Sequence, residues 1–90
     1  MTTRDHKKDI EAKSTDYGLS VARITKRQPL KRIERDLNEQ NKLVFVFENT
    51  ETLKEITEAY WNHQLEVDAL EFYNNLKLLK NRIREELYNG

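Results

Sequence analysis

Ninety residues are enough for one domain. Sixteen Lys and Arg against sixteen Asp and Glu leave no net charge, which argues against wholesale electrostatic binding to nucleic acid or an anionic membrane while leaving local patches of either sign open. Cysteine is absent, so disulfides and thiolate metal sites are excluded, and a chain this short with no such staple gains from any further apolar burial, dimerisation included.

Residues 1–13 are polar and lack the apolar run of roughly 7–15 residues that a secretory signal needs. They are expected to form a mobile tail ahead of a single domain at 14–90. Ser14, Thr15 and Asp16 offer side-chain oxygens to the free N–H groups of a helix start. Tyr17, Val21 and Ile24 follow at helical spacing and predict an amphipathic helix over 16–27, weakened by Gly18 and ended by Pro29. The segments 30–37 and 42–48 read as an antiparallel hairpin around a polar turn at 38–41. The β-branched and aromatic run from Leu43 to Phe47 gives the strongest strand signal. It is also the longest apolar run in the chain, far below the roughly 20 residues of a membrane span, so no membrane contact and a cytoplasmic location are expected.

Alternation along this strand places Val44 and Val46 on one face and Leu43, Phe45 and Phe47 on the other. Both faces are apolar. Either helices cover both, or a second copy of the chain covers one. Asn49 and Thr50 cap the next helix, with Leu53, Ile56 and Tyr60 on its inner side. Residues 62–64 break it. Asp68 with Glu71 three residues on forms a capping box and opens a helix over 69–88, whose apolar stripe is Phe72, Tyr73, Leu76, Leu79, Ile83 and Leu87. The expected fold is α+β in the order αββαα, with a two-stranded sheet and with the sheet or the last helix as the surface on which a homodimer would form.

Chemistry-bearing patterns are sparse. The histidines are His6 and His63, without a Ser, Cys or Asp partner at a recognisable spacing, and the glycines are Gly18 and Gly90, which excludes a glycine-rich phosphate loop. No catalytic residue, metal ligand or cofactor is expected. Charge is unevenly distributed. Cations outnumber anions between Arg23 and Lys42, and Lys54 alone opposes seven carboxylates between Glu48 and Glu71. Lys26, Arg27, Lys31, Arg32 and Arg35 flank Pro29, where they could meet phosphates. The structural alternative is that they pair with the acidic segment or keep an edge strand soluble. Phe45 and Phe47 faintly resemble the base-stacking aromatics of RNA-binding sheets, but the glycines of that motif are absent and the element order differs, so core packing is the better explanation. Trp61, if exposed, would be a partner contact. Lys77, Lys80, Arg82 and Arg84 suit the C-terminal half of a helix; self-pairing of that helix is the functional alternative.

The Asp16-Tyr17-Gly18-Leu19 opening, the Lys42-to-Asn49 strand Lys-Leu-Val-Phe-Val-Phe-Glu-Asn, the Glu58-Ala59-Tyr60-Trp61 helix end, Leu65-Glu66-Val67-Asp68, Phe72 and Leu78-Leu79-Lys80 together resemble a family of small uncharacterised domains from bacteria, phages and mobile elements. The resemblance spans about 70 residues from Asp16 to Leu87 and implies a fold, with no catalytic residues to carry over. On this reading the chain is a small non-enzymatic binding module. The first expectation is DNA or RNA bound through Lys26, Arg27, Lys31, Arg32 and Arg35. The alternative is a protein–protein module, an accessory subunit or an inhibitor of a host or viral protein, using Phe45, Phe47 and Trp61.

Overall fold

In the computed structural model, which describes residues 10–36, 38 and 42–88, one antiparallel sheet carries helices on a single face. The elements are β1 (Glu11–Ser14), α1 (Tyr17–Thr25), β2 (Leu30–Arg35), β3 (Leu43–Glu48), α2 (Glu51–Trp61) and α3 (Ala69–Tyr88). The class is α+β as the sequence predicts. The sheet, however, has three strands in the order β1-β3-β2. β1 lies where the polar tail was expected to continue. Four residues with one inward apolar side chain, Ala12, cannot show a period. β1 is a strand because β3 supplies a free edge, pairing Ala12 with Phe47 and Ser14 with Phe45. The expectations for residues 1–9, Leu37, 39–41 and the side chain of Leu87 lie outside the described residues.

β3 is therefore central, and its phenylalanines organise the core. Phe45 and Phe47 are buried and meet Val21 of α1, Leu53 of α2 and Leu79 of α3. Burying side chains of this size contributes about 1.5–3 kcal/mol each. Phe72, Leu76 and Ile83 extend the cluster along α3. Tyr73, assigned to that stripe from the sequence, is instead exposed, because the core-facing positions recur at 72, 76, 79 and 83 and Tyr73 sits a third of a turn away. Tyr17 ties α1 to α3 by donating its hydroxyl to the Leu76 carbonyl, and Gly18 lets α2 approach α1: a β-carbon there would meet the Tyr60 hydroxyl oxygen at 2.7 Å.

The helix starts follow the sequence signals. Asp16, Thr50 and Asp68 accept from the N–H groups of Leu19, Leu53 and Glu71 at 2.8, 3.1 and 2.9 Å. The ends do not. α1 and α2 each close in a Schellman motif, with Gln28 N–H on the Arg23 carbonyl and Gln64 N–H on the Ala59 carbonyl. The left-handed position in these motifs favours glycine, yet it holds Arg27 (φ 71°) and His63 (φ 60°). We expect His63→Gly to stabilise the domain by about 0.5–1 kcal/mol. A higher midpoint in urea denaturation is the confirming result, and an unchanged or lower one would remove backbone strain at His63 from the account.

Candidate interaction surfaces

The strand register sorts the basic junction onto the sheet face away from the helices. Val46 pairs with Lys13 on one side and Arg32 on the other, and Val44 pairs with Glu34. A register irregularity between Leu30 and Arg32 leaves Lys31 out of the pairing. Arg32 then forks onto Glu11, with both contacts at 2.8 Å, and its Nε donates to Glu34 at 2.7 Å. Lys31 reaches Glu11 at 3.0 Å and Lys13 reaches Glu34 at 3.5 Å. These cations hold the Glu11 carboxyl at a pKa of about 2, against an ordinary 4.5, with the Arg32 hydrogen bonds as the largest cause and those of Lys31 next. Arg32 is held above its usual range by the same carboxylates, Glu11 first.

The consequence for packing is direct. Val46 is completely enclosed although it lies outside the helix-facing cluster. The aliphatic stems of Lys13 and Arg32, held down by their carboxylates, roof it. The second apolar face of β3 thus needs no second copy of the chain to cover it.

Lys26 and Arg27 sit elsewhere, at the end of α1 in a cleft of about 590 Å3 that also presents Glu66, Asp68 and Glu71. Arg27 pairs with Glu71 at 2.7 Å. Arg35 is exposed at the end of β2, opposite Leu43. The five cations named from the sequence are thus divided among an ion-pair network, an acidic cleft and a strand end. They do not form one phosphate-binding patch. Phe45 and Phe47 are core residues, so neither is a contact residue for a partner or a base. Their neighbours in the alternation, the valines, lie on the opposite face.

Trp61 is 56 % exposed and rests edge-on against Tyr60 with ring centroids 5.0 Å apart. A larger exposed surface lies on α3. Leu70, Tyr73 and Leu78 are 69, 58 and 63 % exposed. Tyr73, Lys77, Lys80 and Arg84 recur at i, i+4, i+7 and i+11, one residue after the buried 72, 76, 79, 83 series, and so line one side of the helix. All four are exposed, and Lys77 Nζ stands 5.0 Å from the centroid of the Tyr73 ring. Among the described residues, Lys77, Lys80 and Arg84 form no ion pair with a carboxylate, whereas Arg82 pairs with Glu86 at 2.8 Å. The sequence contains the signal for this stripe, but helical spacing alone groups Tyr73 with the core positions, and the helix dipole or self-pairing of the helix accounts for the cations without it.

A family profile described as a domain of unknown function, DUF5659, matches residues 28–85, well over half of the chain. The chain belongs to the DUF5659 family. The match starts beside Pro29 and covers β2, β3, α2 and most of α3, so β1 and α1 of this DUF5659 domain stand before it. No curated protein and no solved structure matches the chain.

His63 of the DUF5659 domain lines a cavity of about 290 Å3 with Ala22, Tyr60, Leu65, Val67 and Phe72. Burial raises the Tyr60 phenol above its ordinary value, and the Asp16 charge adds to the shift. No carboxylate lines this cavity. Among the described residues no group of three His, Cys, Asp or Glu side chains is placed to hold a metal ion, and no helix is long and apolar enough to cross a membrane.

Proposed function

We propose that this chain is a non-enzymatic interaction module that holds an acidic, partly apolar protein surface against the outward side of α3. One observation carries the reading: Leu70 and Tyr73 stand more than half exposed on one side of α3, and helical spacing puts Lys77, Lys80 and Arg84, which form no ion pair among the described residues, on that same side. Exposed apolar groups rimmed by charge are the ordinary composition of a protein-binding surface. The charge selects an acidic partner. A second copy fits less well, because an antiparallel two-fold pairing of α3 would set Lys77, Lys80 and Arg84 against the same cations of the other copy. Nucleic acid fits less well because Lys31, Arg32 and Arg27 already have carboxylate partners and Lys26 shares its cleft with two more, Glu66 and Asp68. The phage and mobile-element setting implied by the sequence resemblance accords with this reading, since small proteins there often occupy a host or viral protein.

The test compares three forms of the chain as bait in extracts of its source cells: wild type, Leu70→Glu/Tyr73→Glu and Lys31→Glu/Arg32→Glu. We expect an acidic protein to be retained by wild type and by the Lys31/Arg32 variant, and to fall at least about tenfold with the α3 variant, which corresponds to about 1.4 kcal/mol. Equal retention by all three forms refutes the reading. Binding of short DNA or RNA at low salt, lost with the Lys31/Arg32 variant and steeply salt-dependent, would restore the nucleic-acid alternative.

A further inference from the structure

An acidic surface of the kind that the α3 stripe selects is present on the chain itself. On α2 and its C-cap, Glu51, Glu55, Glu58 and Asn62 recur at i, i+4, i+7 and i+11, so they share one side of the helix. All four are exposed, on the side turned away from the buried Leu53 and Ile56. The three carboxylates form no ion pair among the described residues. Lys54 is the one cation in α2 and lies on the flank of this line. Trp61, more than half exposed, stands beside Asn62 and gives the acidic side an apolar end.

The cationic stripe of α3 has the same spacing. Tyr73, Lys77, Lys80 and Arg84 advance by four, three and four residues, as do the four acidic-side positions, and α3 carries no carboxylate between Glu71 and Glu85. Laid antiparallel, the two lines match throughout. Lys77 then faces Glu58, Lys80 faces Glu55 and Arg84 faces Glu51, while Tyr73 faces Asn62 with Trp61 next to it. Laid parallel, the steps also coincide, but Arg84 faces Asn62 and Tyr73 faces Glu51, so one cation and one carboxylate go unmatched. The antiparallel arrangement also places opposite helix ends beside each other, which the helix dipoles favour. Within one copy the two lines do not neutralise each other: α1 packs against both helices, and no ion pair joins them among the described residues.

On the reading that the outward side of α3 is an interaction surface, we propose that its occupant is a second copy of this chain, bound antiparallel through the Glu51, Glu55 and Glu58 side of its α2. Like-charge repulsion weighs against a second copy only where α3 meets α3. Exposed ion pairs contribute little each, so these three set register and orientation, and burial of Tyr73 and Trp61 at one end supplies the remainder. Each copy carries one line of each sign. A two-fold axis that lays α2 of each copy on α3 of the other uses both and closes the assembly as a dimer.

The experiment is sedimentation velocity of the purified full chain over a concentration series, with circular dichroism to check the fold of each variant. Wild type should associate at low salt and dissociate as salt is raised. Lys77→Glu/Lys80→Glu makes both lines acidic, and Glu55→Lys/Glu58→Lys makes both basic. Each of these variants alone should associate about tenfold more weakly or worse, because like charges then meet at every contact. An equimolar mixture of the two should associate again, since the acidic α3 of one meets the basic α2 of the other and the reverse. The four substitutions combined in one chain should likewise restore self-association. A wild type that stays monomeric at about 1 mM overturns the self-pairing. So does association that both double variants retain, or a mixture of folded variants that fails to associate. In each of these cases, retention of an acidic protein by wild-type bait and its loss with Leu70→Glu/Tyr73→Glu would still establish α3 as an interaction surface, with a different occupant.

Discussion

Phe47→Ala is expected to lower the unfolding free energy by about 3–5 kcal/mol, the range for removing a phenylalanine from a packed core. The residue is fully buried at the crossing of every layer. It pairs with Ala12 of β1 and Leu30 of β2, and it lies beneath the Arg23 guanidinium of α1. Truncation therefore opens a cavity in the central strand and removes the aromatic face on which a buried cation rests. Small domains have total stabilities of the order of 5–15 kcal/mol, so the variant should be substantially unfolded at modest denaturant, with a urea midpoint well below that of wild type. Val44→Ala, on the half-buried outer face of the same strand, should fall far less. Equal losses at the two positions would contradict a core centred on the helix-facing side of the sheet.

Much of this arrangement was legible in the residues. The caps at Asp16, Thr50 and Asp68 and the run from Leu43 to Phe47 are local signals, and local signals survive folding because they depend on neighbours within four residues. β1 was not legible. A four-residue strand with one inward apolar side chain takes its conformation from the edge of β3, and that edge is brought to it by the chain reversal through α1 and β2. The helix ends were placed by Pro29 and by the polar break at 62–64, but their closing geometry was not, because arginine and histidine at left-handed positions violate the glycine preference from which such motifs are read.

The functional surface was harder to read for a related reason. A linear count finds Lys26, Arg27, Lys31, Arg32 and Arg35 clustered. Folding of the sheet then delivers Glu11 of β1 to Arg32, joining Glu34 two residues along the same strand, and the return of α3 delivers Glu71 to Arg27. Charge proximity along the chain says little when the sheet imports the counter-ions. Phe45 and Phe47 presented the opposite problem: alternation correctly separated the two faces of β3 without indicating which one the helices would cover. Arg23 belonged to the same linear cluster, and nothing in the sequence marks it as the one cation drawn into the interior.

The outer sheet face makes acid stability the second large expected effect. Glu11 has a folded pKa of about 2 against 4.5 for the free group, and Glu34 is likewise held down, chiefly by its hydrogen bond with Arg32. For a carboxyl whose folded pKa is depressed, the unfolded chain binds the proton first as pH falls. The stabilisation is therefore complete above about pH 4.5 and is lost progressively between there and about pH 2. These groups are partly exposed, so salt should shorten the effect. Glu11→Gln keeps the shape of the side chain and removes its charge. Melting curves should place this variant below wild type at pH 7, with a flatter decline between pH 4.5 and 2, so that the two converge at the acid end. Arg32→Ala should reproduce the loss at pH 7 and add exposure of Val46, because the stem that covers the valine goes with the guanidinium. Parallel acid declines for wild type and Glu11→Gln would show that the network does not govern this limb. Val46 would then have to be enclosed by packing alone, without help from the charges above it.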